Sequence, residues 1–136
     1  MSKTFYSGGF LYDPALKEAL LHKRDDQTKN NPNRWAFFGG LSKKGEKPAH
    51  TFKREVQEEL GIKLDSVAIQ ELTDYFNPDF NIHRYVFYAK VKMSRNLHLN
   101  EGEKYEWFTL REAMKLNLTK RTRQDLDLFR RNLSTD

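Results

Sequence analysis

The stretch that decides the fold is residues 40–62, which read GLSKKGEKPAHTFKREVQEELGI. Pro48 suits the first turn of a helix, where its missing N–H costs nothing. Gly61 suits the position just past a helix end, where left-handed backbone is needed. The sequence therefore predicts a helix of about three turns between these two residues.

The predicted helix has an apolar stripe and an acidic face. Its apolar residues fall within about 80° of arc, as expected of a core-facing stripe. They are Ala49, Phe52, Val56 and Leu60. Glu55, Glu58 and Glu59 stand at i, i+3 and i+4 on a separate face. Because like charges this close repel each other, we expect a compensating cation, and a hard divalent ion with oxygen ligands fits best.

A solvated surface face would explain three glutamates alone, but the spacing over the whole stretch is more specific. The pattern consists, in order, of Gly40, Glu46, Arg54, Glu55, Val56, Glu58, Glu59, Gly61 and Ile62. It resembles the Nudix box, complete and without a substitution, and the chain therefore resembles a Nudix hydrolase. The motif covers 23 of the 136 residues, and the order of elements around it extends the resemblance loosely to most of the chain.

The resemblance implies a fold and a metal site. The fold would be a single Nudix hydrolase domain over residues 1–136, of the mixed α/β (α+β) class, with an α/β/α sandwich around a mixed β-sheet. The cofactor would be Mg²⁺ or Mn²⁺. Glu58 and Glu59 would be its principal ligands, Glu55 a further ligand, and the carbonyl of Gly39 another.

The resemblance also implies catalytic roles. One glutamate must accept a proton from the attacking water, and Glu55 and Glu58 are both candidates. Arg54 and Glu46 are expected to be orienting residues, an ion pair that holds the loop before the helix against the helix itself.

The implied reaction is cleavage of a pyrophosphate within a nucleoside diphosphate linked to another moiety. Pro78, 16 residues past Ile62, lies close to where a proline marks family members that act on ADP-ribose and related nucleotide sugars, which favours that class slightly. The alternatives are nucleoside triphosphates, dinucleoside polyphosphates and the 5′ end of RNA. Phe38 stands where many members carry proline, which weakens a match to the triphosphate-cleansing branch. A non-catalytic nucleotide-binding regulatory module and a nucleic-acid-binding domain are further alternatives.

Three residues outside the motif are candidates for substrate binding. Arg24 directly follows the strand predicted at 19–23 and is well placed to meet a phosphate. Trp35 could stack on a base, although aromatic residues on strands are more often core. Glu103 belongs to a late acidic loop that could face the cleft.

The amino-acid composition limits which other classes of protein the chain could belong to. The chain has no cysteine, which excludes disulfides and thiolate catalysis. No run approaches 18 apolar residues, and the N-terminal sequence lacks the apolar core of a signal peptide, so we expect a cytoplasmic protein without a membrane segment. The net charge of +5 suits a polyanionic ligand such as a nucleotide. A homodimer is left open.

The remaining elements are predicted from periodicity and turn residues. Strands are expected at 5–12 and 19–23, which would form a hairpin, and at 34–38, 66–76, 82–93 and 104–109. Residues 25–33 are expected to form a loop. The strand at 34–38 should run into a tight turn at Gly39-Gly40. Thr109 and Glu112 predict a capping box, and a last helix is expected at 121–133.

Overall fold

The computed structural model describes residues 3–24, 33–92 and 104–133. The chain forms two compact units. The first unit contains residues 1–10 and 38–90, and the second unit contains residues 11–37 and 91–136. Strand β1 (Tyr6–Asp13) runs through the boundary, so its first residues belong to the first unit and its last residues to the second.

Both strands and helices are present among the described residues. After β1 come β2 (Glu18–Lys23), β3 (Trp35–Ala36), β4 (Phe38–Leu41), α1 (Pro48–Leu60), a 3₁₀ helix (Ser66–Ala68), β5 (Ile69–Asn77), β6 (Ile82–Lys90), β7 (Tyr105–Thr109), α2 (Leu110–Ala113) and α3 (Lys120–Leu133). The mixed α/β class predicted from the sequence is confirmed.

In the first unit, helix α1 packs on strands. The start of β1 pairs antiparallel with β4, with Tyr6 opposite Leu41, and β5 pairs antiparallel with β6. Phe52 and Val56 of α1 are fully buried. The ring of Phe52 stacks on Phe87 of β6 with centroids 5.8 Å apart. The apolar stripe predicted for this helix therefore faces the core of its unit.

The second unit is organised around β2. This strand pairs antiparallel with the end of β1, with β3 and with β7. Phe129 of α3 packs edge-on against Tyr12 at 4.8 Å between ring centroids. The capping box predicted at Thr109 and Glu112 is present and begins α2. The predicted hairpin of the first two strands is also confirmed.

The prediction of one strand at 34–38 followed by a glycine turn was wrong. Two short strands, β3 and β4, occupy this region. They are separated at Phe37, whose N–H donates to Thr122 Oγ1 at 3.4 Å. Gly39 and Gly40 lie inside β4, which pairs with β1. The positive φ that a turn requires is found at Gly45, at +84°.

Two other predicted strands have different limits. The region at 66–76 begins with a 3₁₀ turn because Asp65 accepts the N–H of Val67 at 3.1 Å, and β5 starts only at Ile69. Strand β6 ends at Lys90, and Met93 lies outside the described residues, as does most of the predicted loop at 25–33. None of the helices formed by the described ranges combines the length and apolarity that a membrane span requires.

Replacing Phe52 with alanine should destabilise the protein because the ring is fully buried and stacked on Phe87. We expect a loss of about 3–5 kcal/mol in the free energy of unfolding, measured by urea titration. Phe76, whose exposure is 54%, provides the control. Phe76→Ala should change stability by no more than about 0.5 kcal/mol. A loss below about 1 kcal/mol for Phe52→Ala would contradict the assigned packing of α1.

Candidate active site

Helix α1 presents the acidic face of the first unit. It begins at Pro48 and ends at Leu60. The capping residue Gly61 has a left-handed φ of +70°, and its N–H donates to Gln57 O. Burial of the apolar stripe turns the glutamates away from the core. The side chain of Glu55 is only 15% exposed, whereas that of Glu58 is 52% exposed. The face therefore runs from a half-buried carboxylate to solvent.

Arg54 connects this face to the loop before the helix. Its Nε donates to Glu46 Oε2 at 2.7 Å and its Nη2 to Glu46 Oε1 at 3.0 Å, a bidentate pair. Its Nη1 donates to Glu55 Oε2 at 2.7 Å and to Glu58 Oε1 at 3.2 Å. Its Nη2 also donates to the carbonyl of Leu41 at 3.1 Å. The ion pair expected between Glu46 and Arg54 is thus present, and the same guanidinium compensates two carboxylates of the acidic face.

Glu46 accepts hydrogen bonds from three different residues. Besides Arg54, the N–H of Lys43 donates to Oε1 at 2.7 Å and the hydroxyl of Thr51 donates to Oε1 at 2.9 Å. The Arg54 contact contributes most, and together these donors lower the pKa of Glu46 from 4.5 to about 2, against an opposing effect of burial. The hydrogen bond to Glu46, followed by the hydrogen bond to Glu55, raises the pKa of Arg54. The carboxylate therefore stays ionised and holds the loop on α1.

A close approach of β4 to α1 explains one glycine of the motif. A Cβ on Gly40 would lie 2.8 Å from the carboxylate carbon of Glu55. Any side chain there would displace Glu55 from the position in which Arg54 holds it. Gly40 is therefore needed for a close approach to the Glu55 side chain and not for the predicted turn. Gly39 meets a different neighbour, since its Cβ would lie 2.6 Å from Gly8 Cα.

Two hydroxyl groups that fix the start of α1 were missed by sequence reasoning. Thr51 is fully buried and bonds Glu46, as described above. Ser7 of β1 is also fully buried, and its Oγ donates to Pro48 O at 2.7 Å. Thr51 occupies a position that the motif leaves open, and Ser7 lies far from it in sequence. A small polar residue within an otherwise apolar strand was the only available signal for Ser7.

The donor set fits a divalent cation. Carboxylate and main-chain carbonyl oxygens are the ligands that Mg²⁺ and Mn²⁺ prefer. Across the described residues, no three acidic or histidine side chains already converge on one point. Arg54 donates a hydrogen bond to one oxygen of Glu55 and one oxygen of Glu58. The exposed side chain of Glu59 receives no hydrogen bond from Arg54. A cation would therefore gather its ligands from one helix face, and the predicted metal site stays a prediction.

Two of the three candidate substrate residues lie outside the first unit. Arg24 and Trp35 belong to the second unit, and Glu103 lies outside the described residues. Trp35 packs edge-on against Phe108 with centroids 4.9 Å apart. The N–H of Arg24 donates to Arg34 O at 2.8 Å. The roles of these residues in substrate binding stay predictions.

The low pKa of Glu46 predicts a pH-dependent contribution to stability. Because the folded-state pKa of about 2 lies below the ordinary value of 4.5, the contribution is full above about pH 4.5 and is lost as pH falls towards 2. After allowance for partial solvent exposure we expect about 1–2 kcal/mol. Urea unfolding of wild type and Glu46→Gln should therefore differ at pH 7, and the difference should shrink between pH 5 and pH 3.

The control for this experiment is Glu71→Gln, which changes an exposed carboxylate on β5. Its stability should follow that of the wild type at every pH. A difference between wild type and Glu46→Gln that is as large at pH 3 as at pH 7 would show that Glu46 stabilises the fold by packing and not through its charge.

Comparison with known proteins places this geometry in a family. The family model described as the NUDIX domain matches residues 6–130. The chain is 35% identical over 79 residues to an 8-oxo-dGTP diphosphatase of Buchnera aphidicola subsp. Acyrthosiphon pisum, a match that covers 58% of this chain and 63% of that protein. The chain thus spans just under two thirds of the length of this relative.

Two further similarities agree. The chain is 28% identical to the nucleoside triphosphatase NudI of Escherichia fergusonii, over 80% of this chain and 85% of that protein. Its fold is similar to that of a mutT/nudix family protein from Listeria innocua, with a TM-score of 0.80 and 19% identity, covering 99% of this chain and 96% of that one. With a family match over residues 6–130 and the complete motif at 40–62 folded onto α1, the chain belongs to the NUDIX family.

Proposed function

We propose that the chain is a Mg²⁺- or Mn²⁺-dependent pyrophosphohydrolase that acts on a nucleoside diphosphate linked to a further group. The observation that carries this proposal is the acidic face of α1, where Arg54 bonds both Glu55 and Glu58 while Glu46 anchors the guanidinium. Family membership and the diphosphatase and triphosphatase names of two relatives support a reaction at a phosphoric anhydride. We further propose one catalytic domain over residues 1–136.

The carboxylates of the acidic face have different proposed roles, which follow from their exposure and their contacts. Glu58 and Glu59, the exposed members, would hold the cation together with Glu55 and the carbonyl of Gly39. When bound, the cation neutralises phosphate charge and lowers the pKa of water. Glu55 is the better-oriented base because Arg54 fixes one of its oxygens at 2.7 Å, whereas the contact to Glu58 is longer, at 3.2 Å. The base would take a proton from the water that attacks phosphorus as the anhydride P–O bond breaks.

A nucleoside triphosphate is the substrate class that the relatives' names favour. Both the Buchnera and the Escherichia fergusonii proteins are named for triphosphate substrates. The preference for nucleotide sugars such as ADP-ribose rests on Pro78 alone. Pro78 lies in the turn between β5 and β6, where Asn77 Oδ1 accepts the N–H of Asp79 at 3.0 Å. The turn explains this proline without a substrate, so nucleotide sugars are the second candidate.

Nucleic-acid binding through α3 is less well supported. Several of its arginines already have partners within the second unit. Arg123 donates to the carbonyls of Met114 and Leu116, and Arg130 and Arg131 pair with Asp127. These three arginines therefore stabilise the fold of the second unit through their own contacts. A cytoplasmic location and a homodimer remain predictions from the sequence.

Glu58→Gln should abolish most turnover, because it removes a ligand charge while keeping the size of the side chain. We expect hydrolysis of a nucleoside triphosphate in Mg²⁺ to fall by at least about 100-fold. Since this side chain is 52% exposed, the free energy of unfolding should change by less than about 0.5 kcal/mol. Glu71→Gln is the matched control and should retain wild-type rates. Full activity of Glu58→Gln would show that the metal-site assignment is wrong.

The substrate class is tested by incubating the wild type with Mg²⁺ and a panel of normal and oxidised nucleoside triphosphates, ADP-ribose, GDP-mannose, diadenosine polyphosphates and 5′-triphosphate RNA, with products identified by mass. Preferential cleavage of triphosphates would support the first candidate, and preferential cleavage of ADP-ribose would restore Pro78 as a marker. No product from any member, in Mn²⁺ as well as Mg²⁺, would contradict an enzymatic role and favour a binding module.

A further inference from the structure

A small basic cleft lies beside the acidic face, within the first unit. It has a volume of about 320 Å³, at the lower end of the range of about 300–1,000 Å³ for ligand pockets. Its walls come from the chain before β1 and from the loop after β4. The lining residues are Lys3, Thr4, Phe5, Ser42, Lys43, Lys44 and Glu46. We call this feature the lysine cleft.

The backbone around the lysine cleft is fixed by hydrogen bonds. Two hydrogen bonds join Phe5 and Ser42. Ser42 N donates to Phe5 O at 2.8 Å, and Phe5 N donates to Ser42 Oγ at 3.0 Å. The loop closes through Glu46 N and Lys43 O at 3.0 Å, across the positive φ of Gly45. Because Lys43 N is also bonded to the Glu46 carboxylate, the lysines project from a held loop.

The lysine cleft has an excess of positive charge. Three lysines and one glutamate are among its lining residues, and the glutamate carboxylate already forms a bidentate pair with Arg54. Within the described ranges, Lys3 and Lys44 form no ion pair. Lys43 Nζ lies 4.0 Å from Glu58 Oε2, so the cleft adjoins the carboxylates of the proposed metal site. An anion that reaches both places would meet cations at each.

We propose that the lysine cleft binds the distal phosphates of a polyphosphate chain whose cleaved anhydride lies at the acidic face of α1. The inference rests on the proposed function and refines its substrate class. Ammonium groups bind phosphate oxygens as compact point charges, so adjacent lysines suit successive phosphates. A chain of three or more phosphates would extend from Glu58 past Lys43 into the cleft. A nucleotide sugar would place a neutral sugar there, and the three lysines would gain no partner.

The test measures binding of inorganic tripolyphosphate to metal-free protein by calorimetry in EDTA, which needs no catalysis. The cleft variant is Lys43→Met/Lys44→Met. The control is Lys63→Met/Lys90→Met, which removes two exposed lysines of the same unit outside the cleft and gives the same net charge. We expect the cleft variant to bind at least about tenfold more weakly than wild type and the control less than about twofold more weakly.

The same variants separate the two proposals. Equal weakening of tripolyphosphate binding in both variants, or no binding by the wild type, would overturn the cleft as a polyphosphate site. The proposed function would stand if the wild type still hydrolysed a nucleotide. Selective loss of tripolyphosphate binding by a protein that hydrolyses no nucleotide would instead overturn the proposed function and retain the cleft as a polyphosphate site. With both correct, the cleft variant should also show a raised KM for a nucleoside triphosphate, and the control should not.

Discussion

One guanidinium organises the acidic end of this molecule. Arg54 donates to two oxygens of Glu46, to one oxygen each of Glu55 and Glu58, and to the carbonyl of Leu41. Without it, adjacent carboxylates on one helix face would repel one another. With it, a loop, a strand and a helix are joined by one charged group, and the side chains of Glu46, Glu55 and Glu58 are held in place without a cation.

Backbone proximity makes this centre possible. Gly40 leaves room for the Glu55 carboxylate, which a Cβ would approach to 2.8 Å. Phe52 is buried on the core side of the same helix and fixes how closely α1 lies on the strands of its unit. The acidic face and the apolar face of α1 are therefore coupled, because a shift in packing of even a few tenths of an ångström changes the space available to Glu55. Rigid placement of this kind is what a metal or phosphate site requires.

The sequence predicts those features that local chemistry decides. The bounds of α1 follow from Pro48 and Gly61, and its two faces follow from the helical period, so both were correctly anticipated. A glycine pair gives the same local signal for a tight turn as for a close approach, and only the position of Glu55 distinguishes them at Gly40. The pairing of Arg54 with Glu46 followed from family resemblance. Its further contacts depend on how the strand and helix meet in three dimensions, which spacing along the chain does not encode.

The acidic face of α1 is proposed above as a divalent-cation site. This proposal is tested most directly by titrating the protein with Mn²⁺ and following free Mn²⁺ by electron paramagnetic resonance, for wild type, Glu59→Gln and Glu71→Gln. We expect wild type and Glu71→Gln to bind Mn²⁺ with the same affinity, Mg²⁺ to compete, and Glu59→Gln to bind at least about tenfold more weakly. Equal Mn²⁺ affinity in all three proteins would contradict the claim.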